Sequence, residues 1–288
     1  MAGVATKKSS QLKEIWRRLK KNRTAMIGFV FVCLLLLIAI FADVICPYER
    51  AVLQDGSNIL QKPGSDNLFG TDAYGRDIFA RIIHGSRVSL TLGLLASLIA
   101  FVAGSLLGAA AGYFGGKVDI VIMRIMDMFA SIPPMLLALA IVSALGPNLI
   151  NLLVAISISS TPGSARLVRS VVLSIVDNEF VEAALSYGAS HARIILKYIL
   201  PNAVGPIIVS MTMNISSLIL SAAALSFVGM GVQPPQPEWG AMLSEAREFM
   251  RHHSYMLVFP GCAIMVTALS FNLFGDGLRD ALDPKLKD

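Results

Sequence analysis

Apolar residues along this chain fall into long runs separated by polar stretches, and the run lengths set the first expectation. Residues 25–46 are almost unbroken apolar sequence, matching the roughly 20 residues a helix needs to cross a bilayer. Further runs cover 90–113, 121–145, 149 to about 161, 203–230 and 255–274. The pattern predicts an all-α integral membrane protein with six spanning helices and no separate soluble domain. Pro133-Pro134 should kink the third span. The fourth, the weakest, is expected to break near Pro162-Gly163, with Arg166 and Arg169 marking arrival on the far side.

The polar stretches have patterns of their own. Leu12, Ile15, Trp16 and Leu19 fall on one helical face, with Lys13, Arg17, Arg18, Lys20 and Lys21 around the other, as in a basic helix lying in a lipid interface. Residues 47–87 are rich in turn signals and should lie outside the bilayer. Within them, 77–84 reads as a short amphipathic helix whose alternating charges pack that loop. Between the fourth and fifth spans, 177–198 places Phe180, Val181, Ala184, Leu185, Ile194, Ile195 and Tyr198 at helical spacing. Its other face carries Glu179, Glu182, Ser186, Ser190, Arg193 and Lys197. Gly188 should bend the segment into two short helices and Pro201 should stop the second. Such a helix either docks into a groove on another protein or lies on the membrane, and spacing alone leaves both open.

Composition supports the membrane reading: of 288 residues 55% are hydrophobic and only 15% charged, far too apolar for an ordinary soluble domain. The net charge of +5 does not point to nucleic acid, because the positive residues cluster beside apolar spans. With the N-terminus inside, inner segments hold 17 of the 24 Lys and Arg, which puts 177–201 on the cytoplasmic side. Cys33, Cys46 and Cys262 have no metal-ligand spacing, and a Cys46–Cys262 pair stays open.

Within the spans, Gly104, Gly108 and Gly112 repeat at four-residue intervals and let another helix approach closely. Arg124 and Asp127, three apart, are expected to pair locally. Asn214, Ser217 and Ser221 either face a passage or hold a neighbouring helix. Gly115-Gly116-Lys117 is no phosphate-binding loop: Ala111 stands where its first glycine belongs and Val118 where it needs Ser or Thr. His84, His191, His252 and His253 lie outside the predicted spans with no nucleophile partner, so no enzyme site emerges. A transporter working without ATP would show ionisable residues near mid-membrane and inverted repeats, and neither is clear.

Five blocks then resemble a known family. Glu182-Ala183-Ala184-Leu185-Ser186-Tyr187-Gly188, followed by Leu200-Pro201, resembles the E-A-A-x-x-x-G coupling motif of the membrane subunits of ATP-binding-cassette (ABC) importers, with Tyr198 where many members have Ile. Residues 69–90, 118–133, 227–243 and 274–286 resemble the dipeptide, oligopeptide and nickel branch, in its second permease subunit. The resemblance implies the six-helix type I importer architecture. It implies a permease subunit without an ATPase site that forms half of a pathway for di- or oligopeptides, with nickel chelates or glutathione as alternatives.

The implied partners are a homologous second permease, two ATPase subunits that use ATP and Mg, an extracytoplasmic solute-binding protein and membrane lipid. The implied location is a bacterial inner membrane with both termini cytoplasmic. Glu182, Ala183, Ala184, Gly188, Leu200 and Pro201 would contact an ATPase, Glu182 by a cap or salt link, the alanines by close approach and Gly188 by its turn. Expected boundaries are a cytoplasmic helix in 1–24, the first span in 25–46, an outer loop in 47–87, a five-helix core in 88–276 that includes 177–201, and a cytoplasmic tail in 277–288.

Overall fold

The computed structural model describes residues 11–282. The outer parts of the expected terminal segments, 1–10 and 283–288, lie outside the described residues, as do the side chains of Leu12 and Lys13. Among the described residues the regular elements are helices, with one isolated bridge between Thr71 and Asp77. Helix α1 (Gln11–Lys21) leads into α2 (Arg23–Ile40), and the short α3 (Ala42–Ile45) and α4 (Glu49–Val52) follow. The bundle continues with α5 (Ile78–Phe114), α6 (Gly116–Ala130), α7 (Pro134–Leu145) and α8 (Leu149–Leu173). Next come α9 (Glu179–Ser186), α10 (His191–Ile194), a π-helical turn (Ile195–Ile199), α11 (Leu200–Phe227), α12 (Trp239–Ala246) and α13 (Tyr255–Leu282).

Among the described residues four stretches are long and apolar enough to cross a membrane: α2, α5, the run from His191 to Phe227, and α13. A fifth is α6 with α7, bent by 82° at the break between them. The expected kink at Pro133-Pro134 is therefore a full break, with Pro134 opening α7, where its missing N–H costs no bond. Helix α8 is less apolar, but its 25 residues reach roughly 37 Å. It lies along α5, so six spans fit this architecture.

Helix α8 corrects the sequence expectation, because it runs unbroken through Pro162. The reason lies in its neighbour. Gly104, Gly108 and Gly112 of α5 form a bare stripe against which α8 seats: a Cβ added at Gly104 would lie 2.5 Å from Ser164 Cβ, and one at Gly112 2.9 Å from Val172 Cγ1. The stripe holds the half of α8 after the proline, while Leu152, Ala155 and Ile156 before it share a core with Val88, Leu92 and Ala96 of α5. Helix α5 thus supports both sides of the proline, a support that a lone helix would lack.

At the other end of α5 a compact cap closes the bundle. Residues 77–84 are not a separate helix but the first turns of α5, capped by Asp77, whose carboxylate accepts from Phe79 N at 2.9 Å. The cap is tied down by Trp239, whose indole N–H donates to Ile82 O at 3.0 Å, and by Phe69 stacked on Phe259 at 4.0 Å. His84 lies buried in α5 with Nε2 2.9 Å from Cys46 O. Beneath the cap, Arg76 and Arg81, each 1% exposed, share Asp72 and Glu245. Such groups persist in an interior only when paired.

Candidate coupling segment and translocation surface

The segment from Glu179 to Pro201 sits at the end of α5 opposite the cap and is built as two short helices on a fixed base. Helix α9 buries Val181 and Ala184 against Val168, Val172 and Ile175 from α8 and the turn after it, and Ile194 and Ile199 close the same cluster. Its C-terminus is a Schellman arrangement: Gly188 N–H donates to Leu185 O at 2.9 Å and Ala189 N–H to Ala184 O at 3.1 Å. Gly188 adopts φ +73, the left-handed region that a side chain disfavours. The predicted bend is therefore present, and Ser190 caps the next helix through Arg193 N.

Pro201 does not stop that helix, contrary to the sequence expectation. It lies at the first turn of α11, after a π turn from Ile195 to Ile199 that widens the backbone by one residue just before it. Asn202 Nδ2 donates to Tyr198 O at 2.6 Å, satisfying a carbonyl of that turn. A second tie joins the segment to α5, where Tyr113 Oη and His191 Nδ1 are 2.8 Å apart.

The opposite face is open. Glu182, Ala183, Gly188 and Pro201 are exposed, Leu200 is half-buried, Ala184 is buried, and Tyr187 is 90% exposed. The Glu182 carboxylate makes no hydrogen bond or ion pair among the described residues. Four of the six residues singled out from sequence are thus exposed, while Ala184 and the half-buried Leu200 pack into the base.

A second surface lies midway along the bundle. Asn214 and Ser217 border two adjoining cavities of about 470 and 500 Å³. Ser221 borders the larger, and Asn214 Nδ2 donates to Ser160 Oγ at 2.8 Å. The three residues read from sequence therefore meet, joined by Ser160 and Arg166 from α8 and Asn272 from α13. Sequence reasoning missed these partners. Ser159, Gly163 and Arg166 stand at i, i+4 and i+7, one helical face, but the break expected at Pro162 hid that spacing.

The expected Arg124–Asp127 pair is replaced by a longer reach. Asp127 accepts from Arg166 Nη2 at 2.8 Å, and Asp119 accepts a two-pronged contact from Arg169, both bonds 2.5 Å. Both pairs join α6 to α8. The three cysteines are free, Cys46 buried and Cys262 exposed, so the Cys46–Cys262 pair is not formed.

Comparison with known proteins bears on both surfaces. Residues 104–288 match the family described as binding-protein-dependent transport system inner membrane component, and 10–63 match the N-terminal TM domain of oligopeptide transport permease C. The chain belongs to this family of ABC importer permeases. A dipeptide transport system permease of Alkalihalophilus pseudofirmus is 47% identical over 96% of this chain and 91% of its own length. A glutathione transport system permease of Escherichia coli is 48% identical over 95% and 90%. An inward-facing MetNI methionine ABC transporter structure shares the fold at a TM-score of 0.59 and 19% identity, over 72% of this chain and 98% of the other. The permease is thus an integral inner-membrane transport subunit, as its relatives are, and it works beside ATPase and permease partners.

Proposed function

We propose that this permease forms half of an ATP-driven import pathway for di- or oligopeptides. Glutathione, itself a tripeptide, is a second substrate supported by the relative that transports it, and nickel chelates remain the outlying alternative. The observation that carries the reading is the segment from Glu179 to Pro201. One face is locked to α5 and α8, while the other offers an unpaired Glu182 and small or apolar neighbours.

A rigid helix pair with one free face suits a cleft on an ATPase subunit. Two such ATPases, using ATP and Mg, would draw together and move the segment as a lever, opening the cavities beside Asn214, Ser217 and Ser221 alternately to either side. In this arrangement both termini and α9 are cytoplasmic, and the cap from Pro47 to Asp77 faces an extracytoplasmic solute-binding protein. The second permease completes the pathway, and lipid covers the apolar flanks of α2 and α13. Substrate choice falls first to the binding protein.

The test is reconstitution of this chain with a second permease, two ATPases and a binding protein in liposomes. ATP-dependent accumulation of a dipeptide that fails with Glu182→Lys, while the assembly stays intact, supports the reading. Accumulation that needs no ATP overturns it.

A further inference from the structure

Two arginines one turn apart on α8 are used differently, and the difference points to a ligand. Arg169 spends the fork of its guanidinium on Asp119, with Nε and Nη2 each 2.5 Å from a carboxylate oxygen. That is the saturated geometry of a structural pair. Arg166 gives Asp127 a single Nη2 contact at 2.8 Å and remains 48% exposed in its side chain. A guanidinium carries five N–H donors in a planar fork. Four of them are uncommitted among the described residues, and Arg166 borders the larger cavity.

Arg166 follows directly on Ser164 and Ala165, which pack against Gly104 of α5. The Arg166 side chain itself borders the cavity and is not enclosed by packing. The surrounding wall fits one kind of solute. Asn214 offers an amide carbonyl, Ser160 and Ser217 offer hydroxyls, and Phe129, Ile132 and Met135 supply an apolar side.

Resting on the peptide-import reading above, we propose that Arg166 is a way-station for the C-terminal carboxylate of the transported peptide. Asp127 holds the guanidinium between passages. The carboxylate takes the free edge of the fork, Asn214 and Ser217 bond the peptide backbone, and Asp127 is released until the solute leaves. A single contact is easily exchanged, whereas the forked Arg169–Asp119 pair keeps α6 on α8 throughout.

The test compares variants of the complete reconstituted importer, using trialanine and, where the binding protein accepts it, trialanine amide. Arg166→Gln is expected to lower the initial rate for trialanine at least about tenfold, because a charge-assisted contact is lost. Asp127→Asn, which removes only the resting partner, should lower it far less. The swap Asp127→Arg with Arg166→Asp restores a salt bridge and should not restore trialanine uptake. The amide should be nearly indifferent to Arg166→Gln. Equal losses from the two single variants, with recovery in the swap, would show a purely structural pair and overturn the proposal. If the unmodified assembly accumulates no peptide in the presence of ATP, the import reading itself fails, an outcome visible before any Arg166 variant is made.

Discussion

Removing Glu245 isolates the strain that the buried cluster under the cap would otherwise hide. Arg76 Nη2 lies 2.6 Å and Arg81 Nη2 3.1 Å from the same Glu245 oxygen, while Asp72 sits 2.6 Å from Arg76 Nε and 3.7 Å from Arg81 Nε. Two cations and two anions balance. Glu245→Ala leaves two guanidiniums, each 1% exposed, facing one carboxylate. Breaking one side of a buried pair costs about 3–5 kcal/mol, since the stranded charge keeps its desolvation penalty. Arg81→Met alone leaves the opposite excess and should cost a similar amount. The double variant restores balance around Arg76 and Asp72, so its cost should fall short of the sum by about 2–3 kcal/mol. Equilibrium unfolding in a detergent and dodecyl sulfate series reads these differences, with retained binding of the partner subunits as a check on the rest of the fold. A single-variant loss below about 1 kcal/mol, or strict additivity, would refute the claim that charge balance holds the cap.

Three further outcomes follow from particular contacts. Gly188→Asp should leave membrane insertion intact and abolish ATP-driven uptake: φ +73 disfavours a side chain and the new carboxylate would stand exposed on the segment. Normal uptake by that variant counts against the coupling role. Gly108→Leu should prevent a stable fold, since even a Cβ there would press on Ala165 and Arg169; an unchanged unfolding midpoint would show that α5 and α8 are not packed as described. Cys46 should resist maleimide in native membranes and react once the chain is unfolded in dodecyl sulfate, because it is buried and that burial pushes its thiol upward from the ordinary value. Equal labelling of Cys46 in the native and the unfolded chain would contradict the cap structure.

The spans and the coupling segment were legible because their signals are local. Run length found α2, α5, α11 and α13, and helical spacing with Gly188 found the two short helices of the segment. What escaped depended on neighbours. Pro162 reads as a breaker alone, but α5 packs along α8 on both sides of it and the helix continues. Pro201 reads as a stop, but the π turn before it lets α11 begin there. Asp127 has Arg124 at pairing distance in sequence, yet it pairs with Arg166 of the neighbouring α8, a contact that only the packing of the two helices creates. The same error hid the cavity wall: once α8 is seen as continuous, Ser160 and Arg166 join Asn214, Ser217 and Ser221 without further assumption.

The coupling role of the segment is tested most directly by a crosslink at Glu182. Cysteine placed there, in a chain otherwise stripped of Cys33, Cys46 and Cys262, is treated with a short bifunctional maleimide in membranes that hold the whole importer, and adducts are identified by mass spectrometry. The account predicts a link from position 182 to an ATPase subunit, formed at rates that differ with and without ATP. A link only to lipid-facing residues of the second permease, or no protein adduct while the ATPases co-purify, would contradict it.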